Sequence, residues 1–256
     1  MAAELLPEPE PNRARSLLEQ DRVWSAYALA DLEAPFFERT SWRVGTRAVV
    51  MVYRGLTPPL LFAHGDPEEV ERLLRDIPAG TYQYGLLATH RAGLGGRLRS
   101  SRETHMWRMG LRPQAFPTGR SSGAEALGAD DLPSLLALFG EHADRPDSFD
   151  AAQLENGVFF GIRRDGRLVS AAGTHVIGRL AGAAAVGNVF THPDHRRRGY
   201  GARVSAAVVE ALLGQGLETI VLNVAMANDS ALRLYRDLGF WPFCGYYEGV
   251  GELTAE

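Results

Sequence analysis

Val189-Phe190-Thr191-His192-Pro193-Asp194-His195-Arg196-Arg197-Arg198-Gly199-Tyr200-Gly201-Ala202 is the stretch on which the fold turns. It opens in an apolar run, Ala183 to Thr191, that reads as a strand. It breaks at Pro193-Asp194 and passes two glycines into a helical pattern reaching Leu213, with Tyr200, Val204, Ala207, Val208, Ala211 and Leu212 on one face. Gly214 and Gly216 end that helix, and Glu218 to Val224 reads as the next strand. Asn228 to Leu238 follows as a helix with Ala231, Leu234, Tyr235 and Leu238 on one face and Gly239 just past its end. Phe240 to Tyr247 reads as a last strand. A strand–helix–strand of this length is a right-handed crossover between parallel strands. Both helices then begin at the carboxyl ends of those strands, the edge where open α/β sheets bind ligands.

The glycine turn indicates the kind of ligand. A helix starting near Gly199 offers free backbone N–H groups and the positive end of its dipole. Gly199 and Gly201 carry no side chain, so a bulky anion can reach the main chain, and Arg196, Arg197 and Arg198 add positive charge. This is a pyrophosphate cradle in a chain of net charge -4. The dinucleotide fingerprint does not fit, because Val204 stands where its third glycine would be.

The surrounding pattern resembles the GNAT superfamily of acetyl-CoA-dependent N-acetyltransferases. Its Arg/Gln-x-x-Gly-x-Gly/Ala signature is matched by Arg196-Arg197-Arg198-Gly199-Tyr200-Gly201. Its Asn-x-x-Ala-x-x-Leu-Tyr-x-x-x-Gly-Phe pattern is matched by the run from Asn228 through Ala231, Leu234 and Tyr235 to Gly239 and Phe240. The resemblance implies an α/β fold (an α+β mixed sheet) in the second half, with acetyl-CoA as co-substrate and no metal. It implies backbone pairing of Val189, Phe190 and Thr191 with the pantetheine arm. Arg196, Arg197, Arg198, Gly199, Tyr200, Gly201 and Ala202 would then hold the pyrophosphate, the main chain doing most of the work. Asn228 would contact the arm near the thioester, and Tyr235 would be the general acid that protonates the leaving thiolate. Plainer readings stand beside these: Asn228 as a helix cap, Tyr235 as core packing, two of the arginines as a solvated turn.

A general base is harder to find. Family members carry a glutamate where this chain has Ala184-Ala185-Val186-Gly187-Asn188 or Leu222-Asn223-Val224, and neither stretch holds a carboxylate. His175, read as lying at a strand end, is the nearest other candidate. The implied reaction is acyl transfer from coenzyme A to a primary amine by direct attack; the rival class is a non-catalytic acyl-CoA sensor. Cys244, the single cysteine, has no histidine in its motif and is read as strand core, which disfavours a covalent acyl-enzyme.

Composition narrows the field further. All 27 basic residues are arginine. That closes Schiff-base chemistry, the Walker A loop and the kinase lysine. The net charge of -4 argues against a general nucleic-acid binder. No run reaches the ~18 apolar residues of a spanning helix, and Met1 to Leu6 does not read as a signal peptide. One cysteine allows no internal disulfide and suits the cytoplasm. The expected partners are therefore a small-molecule or peptide amine, with neither nucleic acid nor membrane; oligomeric state is not readable.

The first half reads as helix, strands, helix, strands. Arg13 to Glu33 is helical in period, and Asp66 caps a helix that runs to Asp76, with Val70 and Leu73 inward and Glu68, Glu69 and Arg72 outward. Residues 1–12 read as flexible, 13–112 as an N-terminal α/β domain and a candidate degenerate copy of the same fold, 113–122 as a linker, and 123–256 as the acetyltransferase domain. Trp24, Tyr27, Trp42 and Trp107 are candidates for packing or for walling an acceptor site.

Overall fold

The computed structural model describes residues 10–140, 142, 145–146 and 149–255. In chain order the elements are α1 (Glu10–Leu18), α2 (Arg22–Ala30), β1 (Thr40–Val44), β2 (Ala48–Tyr53), β3 (Leu60–Gly65), α3 (Pro67–Arg75), β4 (Gly80–Leu87), α4 (Ala88–Gly93) and β5 (Leu98–Leu111). They continue with β6 (Glu125–Ala126), α5 (Leu132–Phe139), α6 (Ala151–Asn156), β7 (Phe160–Arg164), β8 (Arg167–Gly178), β9 (Ala183–Thr191), α7 (Tyr200–Gly214), β10 (Thr219–Ala225), α8 (Asp229–Asp237) and β11 (Phe240–Leu253). Helices and strands mix throughout, and the fold class is α/β. Of the segment expected to be flexible, residues 1–9 lie outside the described residues, while 10–12 are already the first turn of α1. Among the described residues no helix is long and apolar enough to cross a membrane.

The chain divides into two compact units. The first comprises Met1–Arg108, Val224–Ala227 and Pro242–Glu256; the second comprises Met109–Asn223 and Asn228–Trp241. The segment 242–256, placed by the sequence with the second half, therefore groups with the first. Its β11 pairs antiparallel with β4, Tyr246 to Leu253 lying against Leu87 to Gly80. Residues 113–122 belong to the second unit.

In the first unit the strand order is β1-β2-β3-β4-β11-β5. β2 and β3 are antiparallel, and β4 returns parallel to β3 through α3. Val50, Leu61, Ala63, Val70, Leu74, Tyr84 and Leu86 fill the core, all without exposed surface. Asp66 caps α3 by accepting from the Glu69 N–H at 3.1 Å, with Pro67 at the first helical position. Glu69 was expected to face outward. It is 5% exposed, and its carboxylate turns back to accept from the N–H groups of Thr46 (3.0 Å) and Arg47 (2.6 Å). The start of this helix is thus filled by the chain's own acids, and a phosphate would meet Glu68 and Glu69 there.

Arg108 and Asp31 also lie deep in the first unit. Arg108 is 4% exposed, with its guanidinium carbon 4.6 Å from the Tyr27 ring centre, 5.2 Å from Trp24 and 5.8 Å from Tyr246. Its Nε and Nη1 have no hydrogen-bond partner among the described residues, and the ring faces help to offset its burial. Trp24 and Tyr27 are therefore built into this cage. Asp31 is buried as well, and desolvation pushes its carboxyl up to about 8.

The Asp31 shift has a defined sign. Its folded pKa lies above the unfolded 3.8, so its contribution to stability is fully present below pH 3.8 and is lost as pH rises towards 8. His64 and His90 act oppositely, since burial lowers both below 6.5 and their contribution falls away in acid. Asp31→Asn is expected to stabilise the fold at pH 8 by on the order of 2 kcal/mol, raising the melting temperature there, and to leave it unchanged near pH 4. Thermal melts across that range check this. An equal effect at both ends would show that the carboxyl titrates normally.

The second unit has the strand order β10-β9-β8-β7-β6. Antiparallel β7, β8 and β9 are followed by α7 and the parallel return of β10 beside β9. The Asp165-Gly166 turn joins β7 to β8 with both residues at positive φ, 51° and 76°, as the hairpin signal requires. Leu135, Phe139, Leu154, Phe159 and Phe190 form a core cluster, and α7 buries Val204, Val208, Val209 and Leu212. The path strand, antiparallel strand, helix, parallel strand occurs once in each unit.

Candidate active site

β9 and β10 pair only from Ala183↔Thr219 to Val186↔Leu222. Both strands continue, β9 to Thr191 and β10 to Ala225. On its other side β9 is irregular. Between Gly173↔Gly187 and Ala171↔Phe190, the two residues Asn188 and Val189 face the single Ala172. That is a β-bulge, a device that re-aims a strand beside a functional site. Asn188 takes the left-handed conformation (φ 52°), which asparagine tolerates better than most residues. Its amide donates to Gln153 Oε1 at 2.9 Å, while its buried Oδ1 has no hydrogen-bond partner among the described residues. The buried Oδ1 of Asn223, on β10 one residue beyond the last pair, likewise has none among them.

Beyond β9, Arg197 (φ 60°) and Gly199 (φ 74°) are both left-handed, and Gly199 is the N-cap of α7. Alternating turn conformations of this kind bend successive N–H groups into a concave anion-binding nest. A cavity of about 310 Å³ opens over it. Of the residues singled out from the sequence, Thr191, Arg196, Arg197, Gly199, Tyr200, Gly201 and Ala202 line this cavity. Val189, Phe190, Arg198, Asn228 and Tyr235 do not.

The side chains outside the cavity have other places. Phe190 is 4% exposed and meets Phe139 edge-on at 6.0 Å, so only its backbone is left for a ligand. Arg198 donates to the Asp194 carbonyl at 3.3 Å and braces the turn. Asn228 caps α8, its Oδ1 accepting from the Ala231 N–H at 3.1 Å. Tyr235 lies two turns further along α8. Its ring is buried and meets Phe240 at 6.1 Å, and desolvation pushes its hydroxyl up to about 12, so it stays protonated through neutral pH. Tyr200 turns its ring under the nest, where Arg164 donates to its hydroxyl at 2.9 Å and lowers its pKa.

The candidate bases are placed as follows. β8 runs on to Gly178, so His175 lies inside a strand rather than at its end, its ring filling the space above Gly187. His195 stacks on Tyr200 at 6.4 Å and lines the cavity. Cys244 has its thiol pushed up to about 11 by burial. Among the described residues no three His, Cys, Asp or Glu side chains converge on a metal site.

The cavity has further walls, of which Asp237 and Arg120 were not singled out from the sequence. Leu234 and Asp237 come from α8, Leu238 directly follows it, and Arg120 comes from the segment expected to be a linker. Arg120 follows Gly119 (φ 76°), and its immediate neighbours are pinned to α7. Gly119 N–H donates to Glu210 Oε1 at 3.1 Å, the Ser121 hydroxyl donates to Glu210 Oε2 at 2.6 Å, and Arg203 Nη1 donates to the Ser122 carbonyl at 3.1 Å. The Gly-Arg-Ser-Ser composition signals a loop but not where that loop is held.

A parallel strand pair that stops pairing beside a bulge, with a glycine nest at the following helix, makes up this site, and the chain belongs to the GNAT family of acetyltransferases. Residues 129–240 match the model of the acetyltransferase (GNAT) family. A [ribosomal protein bS18]-alanine N-acetyltransferase from Salmonella typhimurium is 30% identical over 117 residues, 44% of this chain and 77% of that protein. The corresponding Escherichia coli K12 enzyme is 29% identical over 93 residues, 36% of this chain and 61% of its own length. A mycothiol acetyltransferase from Thermobispora bispora is 36% identical over 153 residues, 57% of this chain and 46% of that protein. The chain thus spans less than two thirds of the last two relatives. In fold, a GCN5-related N-acetyltransferase from Kribbella flavida superposes with a TM-score of 0.66 at 20% identity, covering 91% of this chain and 95% of that one.

Proposed function

We propose that the protein is an N-acyltransferase that moves an acetyl group from acetyl-CoA to a primary amine by direct attack within a ternary complex. The observation that carries this reading is the parting of β9 and β10 after Val186 and Leu222, immediately before the nest at Arg197–Gly199. In this reading the pantetheine arm lies along Val189, Phe190 and Thr191, with Asn228 beside it. The pyrophosphate takes the N–H groups at the start of α7, aided by Arg196 and Arg197. The backbone N–H of Val189 polarises the thioester carbonyl.

A neutral amine attacks that carbonyl, the C–N bond forms and the C–S bond breaks. The sulfur takes a proton from Tyr235, and the proton shed by the attacking nitrogen restores the phenol, so charge balances over the cycle. With its pKa pushed to about 12, Tyr235 is suited to holding its proton until the sulfur demands it. The protonated state of Cys244 disfavours a covalent acyl-enzyme. Asn188 and Asn223 cannot accept a proton, so the amine arrives neutral or loses its proton through water.

The activities of the relatives suggest which acceptors to try. The test is release of free thiol from acetyl-CoA with a peptide bearing an N-terminal alanine and with small primary amines. Amine-dependent thiol release is expected. Tight acetyl-CoA binding without turnover on any amine would favour a sensor of acyl-CoA instead.

A further inference from the structure

We infer that Arg120 is a cofactor-recognising residue, held by Glu210 and Arg203 so that its guanidinium meets a phosphate of coenzyme A. The inference rests on the acyl-CoA reading of the cavity and adds to it a residue outside the family's glycine turn.

Three observations carry it. Arg120 lines the same cavity of about 310 Å³ as Arg196, Arg197 and Gly199. The loop that bears it is fastened on both sides of the arginine: Glu210 spends both carboxylate oxygens on Gly119 and Ser121, and Arg203 holds Ser122. Gly119 and Gly123, at φ 76° and 77°, let the chain turn sharply enough to make those bonds. An exposed arginine on a free loop would lose several rotatable bonds' worth of entropy on binding an anion. Tethering its backbone removes part of that cost in advance. Asp237 is the one acid in this lining, set against three arginines, Arg120, Arg196 and Arg197, and a guanidinium is the group best shaped to grip phosphate oxygens in pairs. Glu210 acts through the loop and is a positioning residue.

Calorimetry on the full chain tests this with coenzyme A and with 3′-dephospho-coenzyme A as probes. Arg120→Gln is expected to weaken coenzyme A binding about tenfold, the value of one charge-assisted contact. A loss confined to coenzyme A places Arg120 on the 3′-phosphate. An equal loss with both probes places it on the pyrophosphate. Either result supports phosphate recognition, and unchanged affinity for both overturns it. Glu210→Ala should weaken binding comparably, and the double variant should be no worse than Arg120→Gln alone, because the two act on one contact. Fully additive losses would overturn the positioning role. Melting curves of each variant separate lost binding from lost fold. If the wild-type chain binds neither probe, it is the acyl-CoA reading itself that fails.

Discussion

Tyr235→Phe is expected to lower kcat by about 10²–10⁴-fold, the usual worth of a general acid, while acetyl-CoA affinity changes little. The substitution removes one oxygen and leaves the ring against Phe240, so the buried packing survives. A purely structural tyrosine would give the reverse pattern: kcat near normal and, at most, ~1 kcal/mol of stability lost. Burial adds a second signature. The group must be protonated to act, and its pKa is pushed up to about 12, so ionisation of Tyr235 itself should not depress the rate until the solution is strongly alkaline. Steady-state kinetics, a pH profile and a melt on the same variant decide the matter. A kcat within about threefold of wild type would assign the tyrosine to the core and the proton to water.

Gly201→Asp is expected to weaken acetyl-CoA binding by more than about 100-fold, roughly 3 kcal/mol, while leaving the fold intact. Gly201 is the better of the two glycines for this test. Gly199 is left-handed at φ 74°, where any side chain strains the backbone, whereas Gly201 has no positive φ. A Cβ at Gly201 would stand 3.4 Å from Thr191 Oγ1 and 3.5 Å from Leu234 Cδ1, close to ordinary contact distances. An acid in the first turn of a helix also suits its dipole, so stability should hold or rise slightly. The same carboxylate would occupy and repel what the nest binds. Calorimetry with a folded variant of unchanged affinity would move the pyrophosphate elsewhere.

Much of the second unit was legible because its signals are local. The 3.6-residue period of α7 and the paired glycines each depend on neighbours in sequence, and each lies where it was read. What could not be read depends on distant partners. Glu69 looks like any surface acid of an amphipathic helix until two N–H groups from the β1–β2 turn, more than twenty residues away, claim its carboxylate. The Asn188 bulge arises from a mismatch with β8 that no single strand displays. Arg120 lay in a stretch read only as punctuation, because the bonds that hold its neighbours come from Glu210 and Arg203 on α7. His175 lies inside β8 rather than at its end, since Ile177 and Gly178 carry the strand two residues beyond Val176.

The position of β11 has a consequence for how the protein is made. In the order β1-β2-β3-β4-β11-β5 it is an inner strand, flanked on both sides, yet it is made long after both of its neighbours. Until it arrives, β4 and β5 each present an unpaired edge, with Tyr84 and Leu86 on one of them, the kind of edge that invites pairing with other chains. The sheet of the first unit therefore stays unfinished until the residues beyond Trp241 have been made. A chain stopped after Trp241 would keep every residue of the glycine nest, and its expected failure is aggregation through the open gap in the first sheet rather than loss of the cradle itself.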